Sequence, residues 1–293
     1  MARLQSRALA KINLTLRIVR RRPDGYHDIV SLVAFADVGD ELTFVPDGRL
    51  DLDLRGPNAA AMGDADDNLV LIAAHAFAER VGGVRLGRFE LTKRLPVGAG
   101  LGGGSADAAA ALRLLAVAND LNLDDPRILT AASKVGADVP VCLKEKARVI
   151  SGIGDRLSAP LQLPPLPAVI VFPGVPVATN VVFGIYDELG LESLRGEFAD
   201  HPDAGAIPLE RDKFIAFLNT QTNDLSRATH SLTSTVAAVE ERLHQTSDAR
   251  VVRMTGSGSS VFAIYDSAAH AKAAAERIRV EHPDWWVSVA TLG

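Results

Sequence analysis

Cysteine is nearly absent. Cys142 is the single one in 293 residues, which excludes an internal disulfide and a cysteine metal cluster and fits a reducing, cytoplasmic setting. Basic excess is lacking too, because the formal net charge is -5 and a phosphate-backbone surface needs a strong positive balance. Nucleic acid is therefore not an expected partner, and any nucleotide bound should be free and small. No long apolar run is free of proline. The longest uncharged stretch, residues 158 to 186, contains six prolines, so a membrane-spanning helix and a membrane partner are not expected. The N-terminal segment has no acid before Asp24, as in a transit peptide, yet Ile12, Leu14, Leu16 and Ile18 alternate as in a strand of the fold itself. No internal repeat is found.

What is present is an ordinary globular composition, 47% hydrophobic, enough for one large core or two modest ones. Two are expected. The Pro-rich stretch makes the best boundary, with one domain at 1–157 and a second at 158–293. Patterning predicts strands at 8–19, 29–45 and 50–55 and helices at 68–81, 104–118 and 126–135. Beyond the boundary it predicts a buried strand at 168–172, a helical segment at 180–189 and further helices. The ending reads as strands 250–254 and 261–265, helix 268–281 and strand 286–291. Strands in antiparallel-looking hairpins mixed with helices indicate an α+β fold.

The stretch LPVGAGLGGGSADAAAALRLL, residues 95 to 115, carries five glycines in seven positions and runs into an alanine-rich helical pattern. Glycine costs conformational entropy, so its repetition at a helix start suggests a bulky anion approaching unpaired N–H groups and the positive dipole end. A Walker loop is excluded, because Gly104 is followed by Ser105 and Ala106 rather than Lys and Ser or Thr. Gly98, Gly100 and Gly103 match a dinucleotide fingerprint in spacing. The preceding strand, Arg88 to Leu95, however, alternates as a half-exposed strand does, and no second buried strand ending in an acid follows. The remaining phosphate reading is a glycine loop over a long helix with no Walker lysine; a flexible loop before a core helix is the alternative.

Elsewhere, Lys11 and Asn13 share one face of the first strand with Thr15 and Arg17, a pattern that a solvated face would also produce. Tyr26 and His27 follow a tight turn at Pro23-Asp24-Gly25, and a stacking ring beside a hydrogen-bonding one suits a flat heterocycle. Asp138, in Gly136-Ala137-Asp138-Val139-Pro140, either tightens a turn or accepts a proton from a substrate hydroxyl. Thr255-Gly256-Ser257-Gly258 serves equally as a hairpin turn or an anion loop. Asp67 or Asn68 is placed to cap the helix beginning at Leu69.

Taken in order, Ala10-Lys11-Ile12-Asn13-Leu14, Arg22-Pro23-Asp24-Gly25-Tyr26-His27, Gly100-Leu101-Gly102-Gly103-Gly104-Ser105, Gly136 to Pro140 and Thr255 to Gly258 resemble the GHMP kinases over nearly the whole chain. The Arg-Pro-Asp-Gly-Tyr-His segment and the triple glycine single out the branch acting on a cytidine-diphosphate sugar alcohol on the non-mevalonate route to isoprenoids. The resemblance implies a ribosomal-S5-like N-terminal ATP domain and a ferredoxin-like C-terminal domain. It also implies ATP-dependent phosphorylation of the small molecule's 2-hydroxyl. By that likeness Asp138 is the general base and Lys11 the positioning cation. ATP would be held by Asn68, Lys93, Pro96, Gly98, Gly100, Leu101, Gly102, Gly103, Gly104 and Ser105. The substrate would meet Asn13, Tyr26, His27, Thr179, Phe183, Gly256 and Ser257. The family usually has Pro where Leu9 and Asn180 stand here. Mg²⁺ is expected with ATP, and no acidic residue is placed as its ligand. A kinase of another small alcohol and a non-catalytic nucleotide sensor are the alternatives.

Overall fold

The alternating first stretch folds as two strands rather than one, β1 (Leu4–Asn13) and β2 (Arg17–Arg21). Between them Leu14 N–H donates to the Leu32 carbonyl, while Leu16 N–H turns instead to the carbonyl of Thr222, which ends the first ladder. Its polar face is not solvated. Lys11, Asn13, Thr15 and Arg17 are all buried, because each meets a polar partner supplied by a distant part of the chain.

The computed structural model describes residues 3–63, 67–191 and 203–293, which form two compact units. The first comprises Met1–Lys11, Val38–Val97 and Gly102–Glu145. Its sheet uses the second half of β3 (His27–Val45), β4 (Asp51–Arg55) and β5 (Arg88–Thr92). β5 pairs antiparallel with β3 at Thr43 and Glu90, and parallel with β4 at Leu52 and Phe89. β5 alternates buried and partly exposed residues, as the sequence indicates and a dinucleotide fold would not.

Helices α1 (Leu69–Val81), α2 (Gly103–Ala118), α3 (Pro126–Val135) and the short α4 (Val139–Cys142) complete this unit. α1 packs on α2 and α3. Alanine lets α2 approach its neighbours closely, and every residue from Ala106 to Leu112 is buried. Asp125 caps α3 at the Arg127 N–H, with Pro126 in the first turn.

The second unit comprises Ile12–Asp37, Gly98–Leu101 and Lys146–Gly293, so several segments before residue 158 belong with it. The first half of β3 pairs antiparallel with β2 and with β6 (Arg148–Gly152), which pairs in turn with β7 (Arg156–Leu157). Next come β8 (Leu166–Phe172) and four helices, α5 (Thr179–Glu188), α6 (Arg211–Thr220), α7 (Ser226–Leu232) and α8 (Ser234–His244). β9 (Ala249–Met254), β10 (Val261–Tyr265), α9 (Ala268–Glu281) and β11 (Trp286–Leu292) end the chain.

Their sheet order, β11-β8-β10-β9 with every pairing antiparallel, is the split βαβ arrangement of a ferredoxin-like domain. Its core gathers Val169 and Val171 of β8, Val182 and Tyr186 of α5, Val236 and Val239 of α8, and Ala271 and Ile278 of α9. The Pro-rich stretch runs through residues 158–165, which form no helix or strand, then β8, the connection 173–178 and most of α5. Among the described residues no helix is long and apolar enough to cross a membrane.

Candidate functional site

Lys11 leaves β1 between the fully buried Ala10 and Ile12, and its own residue is only 4% exposed. An ammonium so deep needs a counter-charge. Asp138 provides it, with Oδ1 2.8 Å from Lys11 Nζ, while 38% of the Asp138 side chain remains open to solvent. Asp138 stands at the N-cap of α4 but makes no capping bond with its side chain. The turn-tightening reading of this residue therefore loses its support. The carboxylate faces a cation on one side and solvent on the other, the arrangement required of a group that accepts a proton from a bound hydroxyl. Cys142, at the other end of α4, is no competing nucleophile, since burial, reinforced by Asp138, pushes its thiol up to about 12.

The glycine run is divided between the units. Pro96 and the stretch Gly102 to Ser105 lie in the first, and Gly98, Gly100 and Leu101 in the second. Gly102 is the N-cap of α2 in the left-handed region, with φ 64°. A Cβ there would lie 3.2 Å from both Cβ and Cε of Lys11. Gly104 rests on Leu69, at the start of α1, whose cap is Asn68: its Oδ1 accepts the Val70 N–H at 2.9 Å. The sequence alone suggests that a side chain at Gly103 would meet the phosphates or strain a positive φ. The structure gives a different reason, because Gly103 has no positive φ and its Cβ would lie 3.1 Å from Lys93 Nζ.

Gly102→Ala should therefore act twice. A left-handed alanine costs about 1–2 kcal/mol, and the new methyl displaces Lys11 from Asp138. The expected result is a fall in kcat of about tenfold or more, equivalent to about 1.4 kcal/mol, in a folded protein. Steady-state kinetics beside a thermal melt would check it.

Lys93 is not open to a nucleotide. Its ammonium is buried and donates to Asp40 Oδ2 and Asp107 Oδ2, both at 2.6 Å. Burial opposes its charge, but Asp107 and Asp40 outweigh that and hold it above the usual lysine value. Asp40 Oδ1 accepts the N–H groups of Arg94 and Leu95, tying the chain before Pro96 to the same centre. Lys93 thus supports the loop from beneath.

Two carboxylates share one ammonium, and Asp107 Oδ1 has no partner. Burial, opposed by Lys93 and reinforced by Asp40, pushes Asp107 up to about 8. A carboxyl whose folded value is raised stabilises the fold below its ordinary range, and that stability is lost as pH rises through the raised value. Asp107→Asn cannot ionise, so its stability relative to the parent should grow between about pH 4 and 8. Melting curves across that range would show a widening difference, and a constant one would refute it.

In the second unit, Gly100 and the loop from Thr255 to Ser260 meet backbone to backbone. A Cβ at Gly100 would come within 2.4 Å of the Gly258 carbonyl oxygen, and one at Gly256 within 3.1 Å of that of Gly100. Gly98 abuts Pro176, and the Leu101 side chain is buried. Asn13 joins this cluster through its N–H, which donates to Thr255 Oγ1, and its Nδ2, which donates to Ser31 Oγ. The loop is also the β9–β10 hairpin connection, so the two sequence readings are compatible.

Helix periodicity places Thr179, Phe183 and Asp187 one above another on α5. Thr179 Oγ1 lies 2.9 Å from Ser257 Oγ, and Phe183 stacks on His27 with ring centroids 4.8 Å apart. Asp187 Oδ1 is 2.8 Å from His27 Nε2. Tyr26 is 63% exposed, its ring open to a ligand. Sequence reasoning named Thr179 and Phe183 but missed Asp187, although the four-residue step from Phe183 points to it. It likewise missed Asp40 and Asp107. An acid alone among the buried alanines of α2 was the available signal for Asp107.

The GHMP kinases N terminal domain model matches residues 68–146, and the GHMP kinases C terminal model residues 216–283. The chain is 51% identical over 293 residues to a 4-diphosphocytidyl-2-C-methyl-D-erythritol kinase of Azorhizobium caulinodans, covering 100% of both chains. Over 301 residues it is 51% identical to a protein of the same name from Xanthobacter autotrophicus, covering 99% of each. The crystal structure of a 4-(cytidine 5'-diphospho)-2C-methyl-D-erythritol kinase is similar with a TM-score of 0.77 and 32% identity, covering 99% of each chain.

Proposed function

The chain belongs to the GHMP kinase family, in the branch of the 4-diphosphocytidyl-2-C-methyl-D-erythritol kinases, and from that premise we propose that it phosphorylates the 2-hydroxyl of 4-diphosphocytidyl-2-C-methyl-D-erythritol. The observation that carries this reading is Asp138, a carboxylate held on a buried lysine and left open on its other side. ATP supplies the phosphoryl group and leaves as ADP. Asp138 takes the proton of the attacking hydroxyl, so that the new oxygen–phosphorus bond forms as the bond to ADP breaks. Lys11 keeps Asp138 in place and offsets negative charge at the reacting centre.

The backbone N–H groups at the start of α2, from Gly103 to Ser105, suit phosphate oxygens, since the first turn of a helix has no internal acceptors for them. Asn68, through α1, and Lys93, through Asp40 and Asp107, hold that turn in position. Tyr26, His27 and Phe183 receive the cytosine, with Asn13, Thr179, Gly256 and Ser257 contributing to the substrate side.

Among the described residues no three His, Cys, Asp or Glu side chains gather as metal donors, and Asp107 on α2 is committed to Lys93. Among the described residues these donors form no resident cation site. Mg²⁺ is expected to arrive on the nucleotide phosphates, as is usual for this ion.

A nucleotide sensor could discard the base and still bind, so retention of both Lys11 and Asp138 favours catalysis. An ATP-consumption assay with a panel of small alcohols tests the reading. Turnover greatest with the cytidylylated alcohol is the expected outcome. Preference for another alcohol, or binding without turnover, would replace it.

A further inference from the structure

We propose that Asp187 is a specificity-determining positioning residue, which fixes the tautomer of His27 so that Nδ1 is presented as a hydrogen-bond acceptor. The proposal rests on the assignment of His27 to the substrate's base.

His27 is held on several sides within the second unit. Its side chain is 3% exposed, its ring stacks on Phe183 with an interplanar angle of 23°, and Tyr186 meets it edge-on. The plane of the imidazole is thereby set, which leaves the position of its proton as the remaining variable. Asp187 Oδ1 lies 2.8 Å from Nε2, and Arg21 Nε lies 3.2 Å from Asp187 Oδ2. The carboxylate, carried by α5, is thus tied at both oxygens, by His27 of β3 on one and Arg21 of β2 on the other.

An ionised carboxylate can only accept hydrogen bonds, so Nε2 must carry a proton. In the neutral ring Nδ1 then keeps its lone pair. Cytosine offers an exocyclic amino donor where uracil offers a carbonyl acceptor. A lone pair at Nδ1 accepts from the first and opposes the second. Stacking on Tyr26 or Phe183 makes no such distinction, because every base has a π-face. Asp187 therefore selects the base through His27.

The first test is ¹⁵N-histidine NMR of the wild-type protein without substrate at pH 8. Nδ1 should resonate as an unprotonated nitrogen and Nε2 as a protonated one. A proton on Nδ1, in the other tautomer or in the doubly protonated ring, would overturn the proposal whether or not the enzyme acts on the expected alcohol. The second test compares kcat/KM for cytidine- and uridine-diphosphate-linked methylerythritol in wild type, Asp187→Ala and Asp187→Asn. Loss of the carboxylate in Asp187→Ala should reduce the cytidine preference by about tenfold or more, and Asp187→Asn, which retains an acceptor oxygen, should restore part of it. KM for ATP should stay within about twofold of wild type, a difference of about 0.4 kcal/mol. An unchanged base preference in both variants would show that Asp187 only packs α5. If the wild type phosphorylates neither substrate, the functional assignment fails, while the NMR result still decides the tautomer.

Discussion

Asp138→Asn is expected to fold and to bind both substrates but to turn over about 10²–10⁴-fold more slowly, the usual contribution of a positioned general base. Asparagine keeps the shape of the side chain, and its oxygen can still accept from Lys11, so the geometry around the 2.8 Å contact should survive. What it loses is the ability to take a proton. Because the buried Lys11 ammonium keeps an acceptor but loses its counter-charge, stability should also fall, which a thermal melt beside the assays would read. Lys11→Met should also lose turnover. Stopped-time product assays with isothermal titration for each substrate would separate the effects, and near-normal turnover in Asp138→Asn would remove this residue from the role of base.

Asp40→Ala should destabilise the protein by about 3–5 kcal/mol, the range found when one partner of a buried ion pair is deleted. The alanine would withdraw one counter-charge from Lys93 and leave the N–H groups of Arg94 and Leu95 without their acceptor, all inside the fold. Asp107 alone would then face the ammonium. The segment before Pro96 is tied to this centre, so KM for ATP should rise in the fraction that stays folded. Urea unfolding would read the stability change. A loss under about 1 kcal/mol would mean that the triad contributes no more than an exposed pair does.

The sequence located helices more securely than it located burial. The reading of 126–135 as a helix coincides with α3, because Asp125 and Pro126 signal its start and Gly136 its end. The 268–281 helix and the 261–265 strand likewise coincide with α9 and β10. Periodicity failed on the first strand. Alternation correctly paired Lys11 with Asn13 on one face, yet it could not show that the distant Asp138 would meet Lys11 there. It also ran two strands together, since the break near Leu16 arises from bonds to Thr222 and Asp224, which no local pattern encodes.

Lys93 illustrates the same limit in a charge. A lysine before a glycine loop suggests a phosphate ligand, and only the fold reveals Asp40 and Asp107 around it. Short or polar elements such as β6, β7 and the separate helices α6 to α8 carried too little periodic signal to be delimited. The α5 stripe was half visible. Thr179 and Phe183 were reached through family likeness, whereas Asp187 follows from helical spacing once α5 is established.

Regiospecific phosphoryl transfer is the central claim, and ³¹P NMR of a reaction holding the protein, ATP, Mg²⁺ and 4-diphosphocytidyl-2-C-methyl-D-erythritol tests it most directly. The account predicts one new phosphomonoester resonance on the 2-oxygen of the alcohol, appearing in step with ADP and absent with Asp138→Asn. An unchanged cytidylylated alcohol, or a phosphoryl group on a different hydroxyl, would contradict it.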